Sequence, residues 1–244
     1  MKNIESYTQE YLQDFGFEGE MVRYRRQLVL NRLAEYAPKV IVEVGCGSEM
    51  QAAAYAAQGG SWESWTVVEP SQEFSDIARR NELPNFNVVQ GFFEDVVDEM
   101  PTDPDFILCS GLLHEVPDAD RLLSSVRERM GRNTVLHVNV PNARSMHRLL
   151  ARSMGLILDL KSISARNKSL QQPRVYDLED LTDQMEGHGL TIFKQGGILV
   201  KPFTHKQMEP LPEMLGREVM DGLFRLGEEM PEIASEIYVE ARLR

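Results

Sequence analysis

The 244-residue sequence predicts an α/β fold built on a doubly wound, mostly parallel sheet, and three observations carry that prediction. Short apolar runs alternate with stretches of helical length along most of the chain, the pattern of successive βαβ units. The first run ends in a glycine-rich turn, Glu43-Val44-Gly45-Cys46-Gly47, set between a strand and a helix. The second ends on an acid, Glu69. In open α/β sheets, ligands bind at such carboxyl ends of strands.

Taken in order, apolar and aromatic positions such as Tyr7, Tyr11 and Phe15 recur at helical spacing over 4–36, with Gly16 and Gly19 marking a kink between two helices. Strands are expected at 40–42, 65–68, 87–90, 106–109 and 134–140, separated by helices at 51–58, 72–81 and 118–130. Gly59-Gly60 reads as a helix C-cap. Past residue 141 the rhythm changes. Residues 144–172 are rich in Arg, Lys, Ser and Leu and read as an inserted cap. Asp177 is placed to N-cap a helix over 178–186, and strand-like pieces surround Gly196-Gly197. A Met- and Glu-rich helical segment fills 204–230, before a last strand at 237–243. That late strand, returning beside its neighbour, gives the sheet one antiparallel edge. The expected organisation is one domain in four stretches: an N-terminal helical lid (1–36), a ligand-binding core (37–143), a cap insert (144–175) and a segment that completes the sheet (176–244).

Composition narrows the function. A net charge of −12 argues against nucleic acid as a partner, because that binding rests on neutralising phosphates with Lys and Arg. No apolar run approaches the roughly 20 residues needed to cross a bilayer, and the N-terminus lacks the basic start and apolar core of a signal peptide. A cytoplasmic location without a membrane partner is therefore expected. Cys46 and Cys109 are too few for a disulfide framework, and His188 and His205 lack partners at metal-ligand spacing, so no metal is expected.

Gly45 and Gly47 supply a tight turn without Cβ atoms, so that a nucleotide-like ligand can approach the backbone. Glu69 can accept both hydrogen bonds of a ribose diol. A dinucleotide site would share both features, but its third glycine is replaced here by Met50. Glu49 would also set a negative charge beside the helix start that a pyrophosphate prefers. Glu43 suits a ligand that carries an ammonium and a sulfonium.

The arrangement Glu-x-Gly-x-Gly (Glu43–Gly47), with Glu69 closing the second strand, resembles the class I S-adenosylmethionine-dependent methyltransferases. Two further strand ends share the likeness: Val89-Gln90-Gly91-Phe92-Phe93-Glu94-Asp95, and Cys109-Ser110-Gly111-Leu112-Leu113-His114-Glu115-Val116-Pro117-Asp118. The latter is similar to the Leu-Glu-His-Val-Pro-Asp stretch of ubiquinone-type small-molecule methyltransferases, with Glu and His exchanged. The resemblance spans residues 37–143. In the tail, Gly196-Gly197, Lys201-Pro202-Phe203 and Gln207-Met208 are similar to a bacterial subgroup tied to surface sugars and secondary metabolites. The resemblance implies a Rossmann-like core with S-adenosylmethionine as cofactor. Glu43, Gly45 and Gly47 would line its methionine and ribose side, and Glu69 would hold the ribose hydroxyls. Phe92 and Phe93 would lie by the adenine with Glu94 accepting from its amino group, and Ser110 would offer a carbonyl to the ammonium. Many relatives place an acid directly after the glycine of the third motif, where this chain has Phe92.

On the acceptor side, His114 follows the fourth strand at the mouth of this site and reads as general base, with packing or helix capping as the alternative. Asn142, Arg144, His147 and Arg148 form a polar cluster suited to a carboxylate or phosphate on the acceptor, or else a solvated helix start. Among Arg23, Arg25 and Arg26, one reads as reaching the cofactor carboxylate with Tyr11 closing over it, and at least two read as a solvated helix face. His137 and Cys109 read as core residues, and the Met and Phe positions of 208–230 as packing or a dimer face. The expected activity is methyl transfer to an O or N atom of a small molecule, a sugar or secondary metabolite. A cofactor-binding subunit without turnover and an NAD-dependent oxidoreductase are the alternatives.

Overall fold

The computed structural model describes residues 4, 8, 16–48 and 50–244, without the side chains of Ala165 and Arg166. Tyr7, Tyr11, Phe15 and Glu49 lie outside the described residues. In chain order the elements are α1 (Glu18–Tyr36), β1 (Val40–Val44), α2 (Gln51–Ala57), β2 (Ser64–Glu69), α3 (Gln72–Arg79), β3 (Phe86–Gln90), β4 (Phe106–Ser110) and α4 (Ala119–Arg129). There follow β5 (Val135–Pro141), α5 (Met146–Ser153), α6 (Ala165–Ser169), α7 (Leu178–Gly187), β6 (Leu190–Ile198), α8 (His205–Met208), α9 (Leu211–Leu215), α10 (Arg217–Glu229) and β7 (Glu236–Leu243).

The seven strands form one sheet in the order β3-β2-β1-β4-β5-β7-β6. β1 through β5 pair in parallel. The chain winds outward from β1 to β3 and then returns to β4 on the other side of β1. That reversal opens the crevice at the carboxyl ends of β1 and β4. Central strands covered on both faces read as continuous apolar runs, hence the buried Ile41-Val42 and the buried Phe106-Ile107-Leu108-Cys109. β3, at the edge, is only half-buried.

The expected antiparallel edge is built by β7, which pairs antiparallel with β5 and with β6. The antiparallel strand itself lies one place in, and β6 forms the margin. Glu236 and Glu240 are buried as a result, and buried charges need partners. Arg25 and Asn139 bond Glu236. His137 Nδ1 lies 3.1 Å from a Glu240 oxygen, and the Tyr36 hydroxyl donates to the other. His137 stacks on Tyr238 at 5.5 Å and is fully buried, a core histidine.

Other differences from expectation have local causes. β6 runs unbroken through Gly196-Gly197, with a bulge between Ile192 and Lys194. The 204–230 helical stretch is three helices, because Pro210 and Gly216 interrupt it. Asp177 caps α7 as expected, in a reciprocal box with Asp180. Both cysteines are free and buried. Between β5 and α7 the chain departs from the sheet and returns at a bridge between Asn142 and Tyr176. Ala143 N donates to Tyr176 O there at 2.7 Å. That bridge holds α5 and α6 over the strand ends.

Candidate active site

One cavity of about 710 Å³ lies at the carboxyl ends of β1, β2, β4 and β5, between α1 and the α5–α6 excursion. Its volume falls within the range of roughly 300–1,000 Å³ typical of small-molecule sites. Glu43, Gly45, Gly47, Glu69, Phe92, Phe93, Glu94, Ser110, His114, Asn142, His147 and Arg148 all line it. Arg144 does not.

The β1 turn is held by carboxylates. Glu69 Oε2 accepts from Cys46 N at 3.1 Å and Gly47 N at 3.2 Å, while Oε1 accepts from Ser71 N at 2.8 Å. The acid at the end of β2 thus organises the glycine turn as well as facing the cavity. Gly45 and Gly47 sit at φ +73° and +57°, where a side chain is strained. A Cβ on Gly47 would meet nothing within 4 Å, so the turn presents open backbone to a ligand. Glu43, fully buried in the middle of the sheet, accepts from Gln51 N at 2.9 Å and Trp65 Nε1 at 3.0 Å. Burial pushes its pKa up to about 7, with those donors and the Arg26 charge pulling the other way. Burial and the nearby Glu69 and Glu43 carboxylates push the Cys46 thiol well above its ordinary range, and burial pushes Cys109 up to about 12. Neither thiol is a ready nucleophile.

After β4, the Ser110 hydroxyl and His114 Nδ1 are buried without a hydrogen-bond partner, and both residues face the cavity. Such atoms are costly unless a ligand engages them. His114 Nε2 lies 3.4 Å from Glu115 Oε1, and Glu115 accepts from Gln172 Nε2 at 3.0 Å. Gln172 in turn accepts from Asn167 Nδ2 at 2.8 Å. A polar chain therefore runs from the candidate base into the excursion that roofs it. Phe92 bounds the cavity half-exposed, whereas Phe93 is buried in the apolar core as well as touching it.

The acceptor cluster is rearranged. Arg144 is exposed and outside the cavity, because its N–H closes a tight turn onto Asn142 Oδ1 at 2.8 Å and the side chain swings outward. The Asn142 amide donates to the carbonyls of Pro231, Glu232 and Ala234 at 2.9–3.3 Å and so ties down the turn before β7. Arg148 spends its fork on the carbonyls of Leu160 and Ser162. His147 is pushed down to about 3, by burial first and then by Lys201, His205 and Arg148. It is a neutral imidazole at neutral pH and no anion clamp. The cation at this end is Lys201, buried in the cavity wall with Nζ 3.1 Å from His205 Nδ1. Arg25, also lining the cavity, is paired with Glu236 and Glu18, and Arg23 lies over Tyr24.

Sequence reasoning gave no role to Glu115, Gln172, Lys201 or Glu236. Glu115 and Lys201 stood inside quoted motifs, so a signal existed. Gln172 and Glu236 have no local signature, since only the chain's return brings them to the site. The finished cavity carries acids and cations side by side: Glu43, Glu69, Glu94 and Glu115 line it together with Lys201, His147, His205 and Arg148, Glu18 lies against His205, and the Arg26 charge acts on Glu43. Among the described residues, no group of three or more His, Cys, Asp or Glu side chains could hold a metal.

A family model described as a methyltransferase domain matches residues 12–195. The chain belongs to that methyltransferase family. With this match and the class I strand order, it is an S-adenosylmethionine-dependent methyltransferase, and the oxidoreductase alternative falls away. No curated protein matches the sequence. Solved structures do, at low identity. A plantazolicin methyltransferase, in complex with a triazolic desmethyl analog and S-adenosylhomocysteine, is similar at 14% identity and TM-score 0.61, over 98% of this chain and 90% of that one. An S-adenosylmethionine-dependent methyltransferase from Archaeoglobus fulgidus is similar at 17% and 0.53, over 94% and 100%. A [4+2]-cyclase is similar at 16% and 0.56, over 88% and 79%. One architecture thus carries unlike reactions, and the family match decides among them here. For this methyltransferase the cofactor fits the residues present: open backbone at Gly47 and the unpartnered Ser110 hydroxyl, in the cavity that Glu43 and Glu69 also line.

Proposed function

We propose that this methyltransferase methylates an oxygen or nitrogen atom of a small molecule, a sugar or secondary metabolite, at the Lys201 end of its cavity. The observation that carries the proposal is the cavity at the strand ends: its glycine turn with Glu43 and Glu69 suits a cationic cofactor, and Lys201, His147 and His205 offer polar groups to an acceptor. S-adenosylmethionine, when bound, supplies an electrophilic methyl group on a sulfonium. Glu69 and the Gly45–Gly47 turn would hold its ribose side, Glu43 and Ser110 its methionine side, and Phe92, Phe93 and Glu94 its adenine.

The chain's remaining task is alignment and proton removal. His114 Nδ1, buried and unpartnered, faces the cavity and would take the proton of an acceptor hydroxyl. Its Nε2–H would point to Glu115, whose carboxylate stabilises the imidazolium formed. The Glu115–Gln172 bond fixes the roof over this pair and limits water.

The test is titration calorimetry with S-adenosylmethionine and its demethylated product, followed by a panel of small hydroxyl and amine acceptors. Micromolar binding with turnover on one acceptor supports the reading, and binding without turnover on any acceptor favours the cofactor-binding subunit. With a hydroxyl acceptor, His114→Ala should lower kcat by about 10²–10⁴-fold while leaving cofactor affinity unchanged. Full activity in that variant removes His114 as base.

A further inference from the structure

Ser235 and His147 each hold a buried polar atom, Oγ and Nδ1, without a hydrogen-bond partner among the described residues, and both residues line the cavity. Neither belongs to the cofactor side or to the base. Ser110 and His114 lie at the end of β4 and just past it, whereas Ser235 enters β7 and His147 stands in the first turn of α5, beyond β5. In the sheet β7 lies two places from β4, a separation of roughly 10 Å at about 4.8 Å per strand. A buried polar atom left unpaired is costly unless a ligand engages it, so this second pair calls for a group of its own.

The backbone brings the pair to one place. Ser235 N donates to Leu199 O at 2.8 Å and His147 N to Lys201 O at 3.2 Å, so both residues are tied to the three residues that follow β6. Asn142 N, just past β5, donates to Ser235 O at 3.0 Å. Leu199 is fully buried at φ +57°, where its Cβ crowds the carbonyl that follows. Strained positions of this kind cluster at ligand clamps. Here the left-handed residue turns the chain from β6 into the cavity wall at Lys201.

The chemistry of the pair is neutral. Burial, and then the Lys201, His205 and Arg148 charges, push His147 down to about 3, so its ring presents one N–H donor and one nitrogen acceptor. The Ser235 hydroxyl can turn to donate or to accept. The cations nearby are engaged: Arg148 on the carbonyls of Leu160 and Ser162, Lys201 on His205, and His205 against Glu18 at 3.2 Å. We propose that His147 and Ser235 form a specificity subsite for a neutral hydroxyl or carboxamide of the acceptor, remote from the atom that is methylated. Such a group both donates and accepts, and so satisfies the pair in either histidine tautomer, whereas a carboxylate only accepts. The inference rests on the methyl-transfer reading and narrows its acceptor.

The test uses the full chain saturated with S-adenosylhomocysteine and four fragments that differ in one group: benzyl alcohol, benzamide, benzoate and phenyl phosphate. Binding is read by ligand-observed NMR. The alcohol and the amide should bind more tightly than the two anions. Ser235→Ala and His147→Leu should each weaken the neutral fragments by about 3–10-fold, the loss of one hydrogen bond, while His147→Gln, which keeps a donor and an acceptor, should restore them. The affinity for S-adenosylhomocysteine, measured by calorimetry, should be the same in all three variants, which also shows that each is folded. Tighter binding of the anions, no effect of Ser235→Ala or His147→Leu, or no binding of any fragment overturns the subsite. A matching loss of S-adenosylhomocysteine affinity would assign the pair to the cofactor instead. If the wild type does not bind S-adenosylhomocysteine at all, it is the methyl-transfer reading that falls, and the subsite with it.

Discussion

Glu43 carries two hydrogen-bond donors on its carboxylate, and burial nonetheless pushes its pKa up to about 7 from 4.5. The folded chain therefore favours the protonated form. The stability tied to Glu43 is fully present below about pH 4.5 and is lost as pH rises through about 7, by about 3 kcal/mol. A cationic ligand beside it reverses that preference by favouring the carboxylate. Binding of S-adenosylmethionine at pH 6 should thus release a substantial fraction of a proton, and almost none at pH 9. Calorimetry in two buffers of different ionisation enthalpy reads this directly, and identical heats at pH 6 would place the cofactor's charge away from Glu43. His147 has the opposite sign. Its neutral form is favoured, so its contribution is kept above about pH 6.5 and lost as pH falls toward about 3.

At the scale of elements, α10 lies unusually close to β6. A Cβ on Gly197 would stand 2.7 Å from Gly227 O, and one on Gly227 would stand 2.6 Å from Leu199 N. Backbone meets backbone there, so a methyl group cannot be absorbed by a rotamer change. Gly227→Ala should cost about 1–3 kcal/mol through overpacking. Gly222→Ala, in the same helix with nothing within 4 Å of its Cβ, should instead stabilise by up to about 1 kcal/mol. Urea midpoints of the two variants test this, and equal effects would mean that helix propensity, not close approach, governs both. The contact matters for the site because β6 leads into Lys201, buried at the cavity wall, and Val200 N just before it donates to Leu223 O of α10 at 2.9 Å.

For the whole molecule, the cavity is bounded by residues from Ile4 to Glu236, so ligand binding reports on the complete fold. Product at a hundredfold excess over its Kd stabilises the folded state by about 2.7 kcal/mol, which for a chain of this size raises Tm by roughly 5–10 °C. An unchanged Tm at saturating ligand would mean that the product does not bind the folded chain in preference to the unfolded one. Among the described residues, no helix is long and apolar enough to cross a membrane. The charge distribution is uneven even so, with a basic excursion on an acidic body.

The chain's own order of residues determined the parallel sheet, the glycine turn, the acid of β2 and the cofactor those features select. Each is a local pattern: the apolar runs of central strands, glycine where φ is positive, a carboxylate at a strand end. The cap of α7 at Asp177 was legible for the same reason. What tertiary structure alone decided is the acceptor side. Whether Arg144 enters the cavity depends on one turn closed by Asn142. Arg148 is diverted because Leu160 and Ser162 are brought to it, and His147 stays neutral because it is buried and because Lys201 returns to it from a distant part of the chain. Gln172 and Glu236 reach the site by excursions whose closure depends on the Asn142–Tyr176 bridge and on β7 entering between β5 and β6. Local patterns record what a residue prefers of its neighbours in sequence, whereas charge state and exposure depend on neighbours that only folding supplies.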